Sequence, residues 1–253
     1  MPETLTIIVP TFNEEDCIRR CLESAKFADD LFVVDSFSTD KTLEIAREFT
    51  SHIVQHEYVN SATQKNWAIP QCKTDWIMVL DADEWISEEL RDEILSVLRK
   101  GSPHAGFMIK RETYFFGRLI RHGGWHREYI LRLWQNGKGR YQDKHVHASV
   151  AVEGSVGRIR TPIYHDTYKS FDDYFEKFDR YTKWAAKDLF DAGKRASAVN
   201  LTLRPLWRMF NMYVINHGFM DGKHGLILAL LSGYYVFVKY ARLWLMQLQA
   251  GRH

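Results

Sequence analysis

Trp76-Ile77-Met78-Val79-Leu80 runs directly into Asp81-Ala82-Asp83-Glu84. Five consecutive apolar residues suit a strand buried on both faces. Such a strand carries the acids that follow it to a rim. Mg²⁺ and Mn²⁺ prefer oxygen ligands and are often held by one or two carboxylates together with substrate phosphates. The same acids also suit a solvated turn ahead of the next helix, where Ser87 is the cap, Glu88 and Glu89 fill the first turn, and Leu90, Ile94 and Leu98 face inward.

Toward the N-terminus the pattern repeats. Leu5 to Val9 reads as a buried strand closed by Pro10. Asn13 is the expected N-cap of a helix, with Glu14, Glu15 and Asp16 suited to the positive end of its dipole and Ile18, Leu22 and Ala25 inside. Leu31 to Val34 is a second strand ending at Asp35. Thr39 or Asp40 is expected to cap a helix with Leu43, Ala46 and Phe49 inside, and Ile53-Val54 is a third strand. Gln64 to Ile69 is expected to be helical. Strands alternating with helices imply a mostly parallel sheet with helices on both faces. In such sheets ligands bind beyond the carboxyl ends of the strands, which is where Asn13, Asp35 and the 81–84 acids lie.

Toward the C-terminus the alternation loosens. Phe107 to Lys110 and Ile130 to Trp134 read as strands, 117–124 and 136–139 as turns, and Phe171 to Ala192 as a helix. From Leu201 onward two or three helices are expected, broken near 218–222. The chain of 253 residues carries a net charge of +2, too balanced for a dedicated nucleic-acid binder. Its three cysteines have no disulfide or C-x-x-C spacing, which points to a reducing compartment, and no signal peptide is expected. No glycine-rich dinucleotide or P-loop motif is present. Residues 200–253 hold six basic residues against the single acid Asp221, among many aromatics, the composition of a membrane-surface segment. The uncharged run Leu226 to Val238 is shorter than the ~20 apolar residues of a spanning helix, which favours an interfacial or re-entrant bundle.

The succession Ile7-Ile8-Val9-Pro10-Thr11-Phe12-Asn13-Glu14, Val33-Val34-Asp35-Ser36-Phe37-Ser38-Thr39-Asp40, Gln64-Lys65-Asn66 and Leu80-Asp81-Ala82-Asp83-Glu84 resembles the family 2 inverting glycosyltransferases of the GT-A fold. Gly124-Trp125, Leu131-Arg132-Leu133-Trp134, Val146-His147 and Ile163-Tyr164-His165 resemble a subgroup that adds glucose to the heptose of the lipopolysaccharide inner core. The resemblance implies an α/β GT-A catalytic domain over 1–199, with a nucleotide-binding half (1–100) and an acceptor half (101–199), and a helical extension over 200–253. It implies a nucleotide-sugar donor, usually a UDP-sugar. Pro10, Thr11, Asn13, Glu14 and Asp35 would hold the nucleoside, with Asp81 and Ala82 beside the sugar or ribose. Asp83 would sit on Mn²⁺ or Mg²⁺, with His165 as a further candidate ligand. Lys65 and Arg132 would neutralise phosphate, Arg132 because an unpaired charge in an apolar strand is costly.

An inverting transfer needs a general base, usually Asp or Glu. Where the subgroup commonly reads Val-His-Glu, this chain reads Val146-His147-Ala148. Three explanations stay open: Ala148 is an inactivating substitution; the base lies elsewhere, at Asp143 or else His147 or Glu128; or the protein binds a donor without transferring it. The expected activity is transfer of a hexose, glucose from a UDP donor, onto a lipid-linked or lipopolysaccharide-core saccharide. The expected location is cytoplasmic, peripheral on the inner face of the membrane. The alternatives are another nucleotide-sugar donor, a polyprenyl-phosphate acceptor, or a nucleotide-sugar-binding protein with a degenerate site.

Overall fold

A computed structural model describes residues 2–142, 149–168 and 170–251. In chain order the elements are β1 (Leu5–Thr11), α1 (Ile18–Ala25), β2 (Asp30–Asp35), α2 (Thr42–Ala46), β3 (Ile53–Gln55), α3 (Ser61–Ala68), β4 (Trp76–Val79), β5 (Glu84–Ile86) and α4 (Glu88–Lys100). There follow β6 (Gly106–Phe115), β7 (Arg118–Leu119), β8 (Tyr129–Gln135), β9 (Gly139–Tyr141), β10 (Val150–Val152), β11 (Val156–Asp166), α5 (Phe171–Asp191), α6 (Ala198–Leu201), α7 (Leu203–Phe210) and α8 (Gly222–Ala250). The chain divides into two compact units, one of residues 1–111 with 128–165, the other of 112–127 with 166–253.

The first unit is built on a sheet ordered β3-β2-β1-β4-β8-β6-β11-β5. β3, β2, β1 and β4 run parallel, whereas β8 pairs antiparallel with β4 and with β6. The continuous apolar runs of the central strands follow from cover on both faces. Ile7 and Val9 of β1 join a core with Ile18 and Leu22 of α1 and Leu90 and Ile94 of α4. Ile8, between them, points to the other face and packs with Ala62 and Ala68 of α3.

Two local expectations change. Asn13 does not cap α1, which begins at Ile18 after a turn over 14–17; Asn13 itself has a left-handed backbone, φ 53°. The acidic turn also does not lead straight into a helix. Glu84 opens β5, which pairs antiparallel with β11 and sets His165 opposite Glu84. Ser87 then caps α4 as expected, accepting from the Leu90 N–H.

In the second unit α5 starts at its cap Ser170, which accepts from the Asp173 N–H. Tyr174 and Phe178 of α5 join Phe115, Met212, Leu228 and Ala229 in one core, and Ala186 joins Tyr240 and Leu243 in another. Close approach between α7 and α8 depends on Gly233, where a Cβ would stand 2.3 Å from the Met209 side chain. The helical tail breaks at 218–221, as the glycines predict. The helix that follows is more than twice the length of the uncharged run Leu226 to Val238. The stretch Gly218–Ala250 is long and apolar enough by composition to cross a membrane, with a mean hydropathy of 1.4 over its most apolar window and only 28% of that window buried.

Candidate active site

Three loops leave the carboxyl ends of β1, β2 and β4 in the first unit, and the first two are tied to each other. The Thr39 N–H donates to Asn13 Oδ1 (2.8 Å), and the Asn13 N–H to Ser38 Oγ (2.9 Å). The Glu14 N–H donates to Thr42 Oγ1 (2.8 Å), the Glu15 N–H to Asp40 Oδ2 (3.1 Å), and the Ser36 N–H to the Thr11 carbonyl (2.9 Å). Asp40 also accepts from the Thr42 N–H, although the N-cap position of α2 is Lys41, whose side chain makes no cap bond. Asn tolerates the left-handed backbone at position 13 better than most residues, because its short amide bonds locally. Phe37, also at positive φ (62°), and Phe12 project from this pair of loops with about half their surface exposed (53% and 52%).

Asp35 is wholly buried. Its carboxylate accepts from the Ser38 N–H (2.9 Å), the Ser38 hydroxyl and Gln55 Nε2 (3.0 Å). Its immediate work is to shape the second loop. Thr11 is buried with its hydroxyl unpartnered among the described residues, an acceptor-donor left open at the end of β1.

The third loop closes on itself. The Glu84 N–H donates to the Asp81 carbonyl (2.8 Å), and the Asp81 N–H to Glu84 Oε2 (3.1 Å). A ladder of alternating charge grows from this turn. Lys65 Nζ of α3 donates to Asp81 Oδ1 at 2.7 Å, and one guanidinium nitrogen of Arg132, on β8, spans Asp81 Oδ2 at 2.5 Å and Glu84 Oε1 at 2.7 Å. Arg111 of β6 then stands 3.5 Å from Glu84 and donates to Glu128 at 2.7 Å. Lys65 and Arg132 are buried, as is Glu84. Burial alone would raise the Asp81 pKa, but Arg132 and Lys65 outweigh it and hold that carboxyl far below the usual range. Burial likewise works against the charge on Lys65 and Arg132, and Asp81 holds both pKa values above normal.

Asp83, two residues on, meets a different partner. β11 brings His165 Nε2 to 3.3 Å from Asp83 Oδ2. Burial disfavours the imidazolium, but the charge and hydrogen bond of Asp83 raise its pKa on balance. His165 Nδ1 is buried and has no hydrogen-bond partner among the described residues. Among those residues no group of three or more His, Cys, Asp and Glu gathers as a closed cage. Asp83 with His165 nonetheless fits a divalent cation whose remaining positions are filled by ligand oxygens and water, provided the imidazole first sheds its proton. Asp81 fits less well, since Lys65 and Arg132 already occupy both its oxygens.

The sequence-derived residues thus fall into groups. Asp81, Lys65 and Arg132 come together, as do Asp83 and His165, while Asn13 and Glu14 lie in the paired loops. Lys65 and Arg132 have a carboxylate, not solvent, as their immediate partner. Ala82 is buried in the core between the two acids. Pro10 lies within β1. Asp143 and Ala148 lie outside the described residues. Sequence reading left out Glu84 and Arg111 as site members. Glu84 was legible as the residue completing the acidic turn; Arg111, between Lys110 and Glu112, offers no contrast of polarity to single it out.

Residues 6–161 match the Glycosyl transferase family 2 domain. The lipopolysaccharide core biosynthesis glycosyltransferase LpsC of Rhizobium meliloti (strain 1021) is 27% identical over 247 residues, 95% of this chain and 92% of that protein. An uncharacterized glycosyltransferase of Rickettsia bellii (strain RML369-C) is 28% identical over 270 residues, 99% of this chain and 90% of that protein. Among solved structures, residues 1–349 of S. aureus TarS in complex with UDP-GlcNAc align with a TM-score of 0.53 at 14% identity, over 98% of this chain and 92% of that one. The likeness is one of fold, the α/β GT-A fold.

Proposed function

Because the chain belongs to glycosyl transferase family 2, we propose that it moves a hexose, glucose from a UDP donor, with inversion, onto a lipid-linked or lipopolysaccharide-core saccharide. The observation that carries this reading is the pair of acids at the end of β4 with different settings: Asp81 clamped by two buried cations, Asp83 beside the His165 imidazole. The relation to LpsC, named for lipopolysaccharide core biosynthesis, supports the acceptor class.

In this reading the tied loops after β1 and β2 hold the nucleoside, with Asn13 and Glu14 positioned by their backbone bonds and the Thr11 hydroxyl free to bond. Asp35 supports the loop from beneath. Lys65 and Arg132 fix the Asp81 carboxylate, whose side chain is about a third exposed (32%), as an acceptor for ribose or sugar hydroxyls. Asp83 and His165 would hold Mn²⁺ or Mg²⁺, which when bound supplies positive charge against the departing diphosphate. A base must take the acceptor proton. Glu128, steadied by Arg111 and partly exposed, is a described candidate, with Asp143 and His147 as the others. Residues 200–253 keep the protein at the cytoplasmic face of the membrane, beside a lipid-linked acceptor.

Ala148, at the place where the related subgroup commonly carries glutamate, favours a second reading, a protein that binds the donor without turning it over. Calorimetric titration of UDP and of GDP, each with and without Mn²⁺, tests the donor site. UDP is expected to bind with Mn²⁺ and to lose at least roughly tenfold in affinity in Asp83→Ala, about the worth of one charge-assisted contact. Absence of any metal-dependent nucleotide binding overturns the site assignment. Transfer from UDP-glucose to a heptose-containing core saccharide then separates the readings, with gain of turnover only in Ala148→Glu marking a site disabled at that position.

A further inference from the structure

α8 is apolar around most of its circumference, but only one side of it is covered. Gly225, Leu228, Ala229, Gly233, Tyr240 and Leu243 are buried, whereas Leu226, Leu230, Tyr234, Phe237, Trp244 and Leu248 form an exposed stripe at spacings of three, four and seven residues. On α7, Leu203, Leu206 and Trp207 are each 60% exposed. Exposed apolar surface of this extent marks an interaction face.

Composition alone would allow α8 to cross a bilayer, but its neighbour argues against it. α5 packs along α8, through Phe178 stacked on Tyr234 and the Arg242–Asp179 ion pair. α5 carries Asp172, Asp173, Glu176, Lys183, Lys187 and Asp191 among its charges, an escort that hydrocarbon would not accept. The pair suits a helix lying in the interface.

The cations of the second unit sort into two kinds. Lys177, Lys183 and Lys187 on α5 each pair with a carboxylate four residues away. Arg204 and Arg208, one turn apart on α7, and Lys239 on α8 have no carboxylate partner among the described residues. Arg204 donates to the Tyr240 hydroxyl, and Lys239 Nζ lies 5.0 Å from the centre of the Tyr240 ring. Burial, with repulsion from Arg204 and Arg208, holds the Lys239 pKa below its ordinary value. Three like charges gathered beside exposed aliphatic and aromatic side chains are complementary to a surface that is anionic at its rim and apolar beneath.

Resting on the membrane-surface reading above, we propose that Arg204, Arg208 and Lys239 form a phosphate-binding centre for an anionic phospholipid headgroup, seated while the exposed side chains of α7 and α8 enter the acyl boundary. The lipid phosphate supplies the counter-charge that the protein withholds, and it fixes how the second unit sits on the leaflet.

Flotation of the full chain with phosphatidylcholine vesicles, with and without phosphatidylglycerol, tests this. The triple variant Arg204→Gln/Arg208→Gln/Lys239→Gln is compared with Lys183→Gln/Lys194→Gln/Arg195→Gln, which removes the same formal charge from the same unit. The expected result is binding of the unaltered chain to the anionic vesicles, a loss of roughly a hundredfold in affinity for the first variant, and a loss of only a few-fold for the second. Equal losses in the two variants, or equal binding of the unaltered chain to neutral vesicles, would overturn the phosphate centre while leaving membrane attachment standing. No binding to either vesicle would overturn the membrane reading itself. Thermal unfolding of the first variant is expected at or above that of the unaltered chain, since the change relieves repulsion, which separates lost binding from lost fold.

Discussion

The ladder at the end of β4 and the cationic face of α7 and α8 handle positive charge in opposite ways. In the ladder Lys65, Arg132 and Arg111 are each matched to Asp81, Glu84 or Glu128 within 3.5 Å. On the helical face Arg204 and Arg208 repel Lys239, and none of the three has a carboxylate partner among the described residues. Buried charges must be matched by the fold itself, because the penalty falls on the folded protein at all times. Charges near a surface can be left for a ligand to match, because water screens them meanwhile. The matched set is therefore architecture that orients acids, and the unmatched set is an incomplete site.

The same chemical change should then have opposite signs in the two regions. Arg132→Met leaves Asp81 and Glu84 without their shared guanidinium, and is expected to cost about 3–5 kcal/mol in denaturant unfolding, the usual penalty for breaking a buried pair. Arg208→Gln removes a cation that no carboxylate among the described residues pairs with and is expected to change stability by less than about 1 kcal/mol, in the stabilising direction. Comparable losses from both substitutions would erase the distinction. An effect smaller than that of Arg132→Met is expected where the uncovered helix meets α7. Gly233→Leu drives a side chain into Met209 and the Pro205 carbonyl, which a Cβ would approach to 2.3 Å and 3.0 Å. It should cost roughly 1–3 kcal/mol by overpacking and weaken vesicle binding in parallel by displacing Arg204 and Arg208. Gly233→Ala, with the smallest added volume, should show the same pair of losses in reduced form.

Much of this was legible from residue order. The central strands could be read because they are apolar on both faces, and the rim could be read because acids follow them at once. Arg132 stood out as a charge in an apolar strand, and His165 as a polar strand end. What was hidden depends on partners distant in sequence. β5 is three residues long, too short to show a period, and exists through pairing with β11. Asp35 reads from the sequence only as a polar strand end, and its bonds to Ser38 and Gln55 show once the fold brings them together. Asn13 is a residue type that suits a helix cap, but its amide is used across loops by Thr39, and the helix begins only at Ile18. The uncharged run Leu226 to Val238 does not mark the extent of α8, which continues through Lys239 and Arg242.

The tie at Asn13 can be tested by separating its backbone from its side chain. Its φ of 53° suits glycine, while its Oδ1 accepts from the Thr39 N–H. Asn13→Gly keeps the backbone easy and loses the acceptor. Asn13→Ala loses the acceptor and adds the penalty of a Cβ in the left-handed region, ~1–2 kcal/mol. Alanine is therefore expected to be the more damaging by about that amount, with glycine costing about 1 kcal/mol or less, the net worth of one partly exposed hydrogen bond. If the loops hold the nucleoside, both variants should weaken UDP binding in the same order, because a loosened loop must be reordered at the moment of binding. If alanine and glycine unfold alike, the left-handed turn adds nothing to the folded state. In that case the tie between the loops would owe its strength to Ser38 and Asp40, whose oxygens accept from the N–H groups of Asn13 and Glu15.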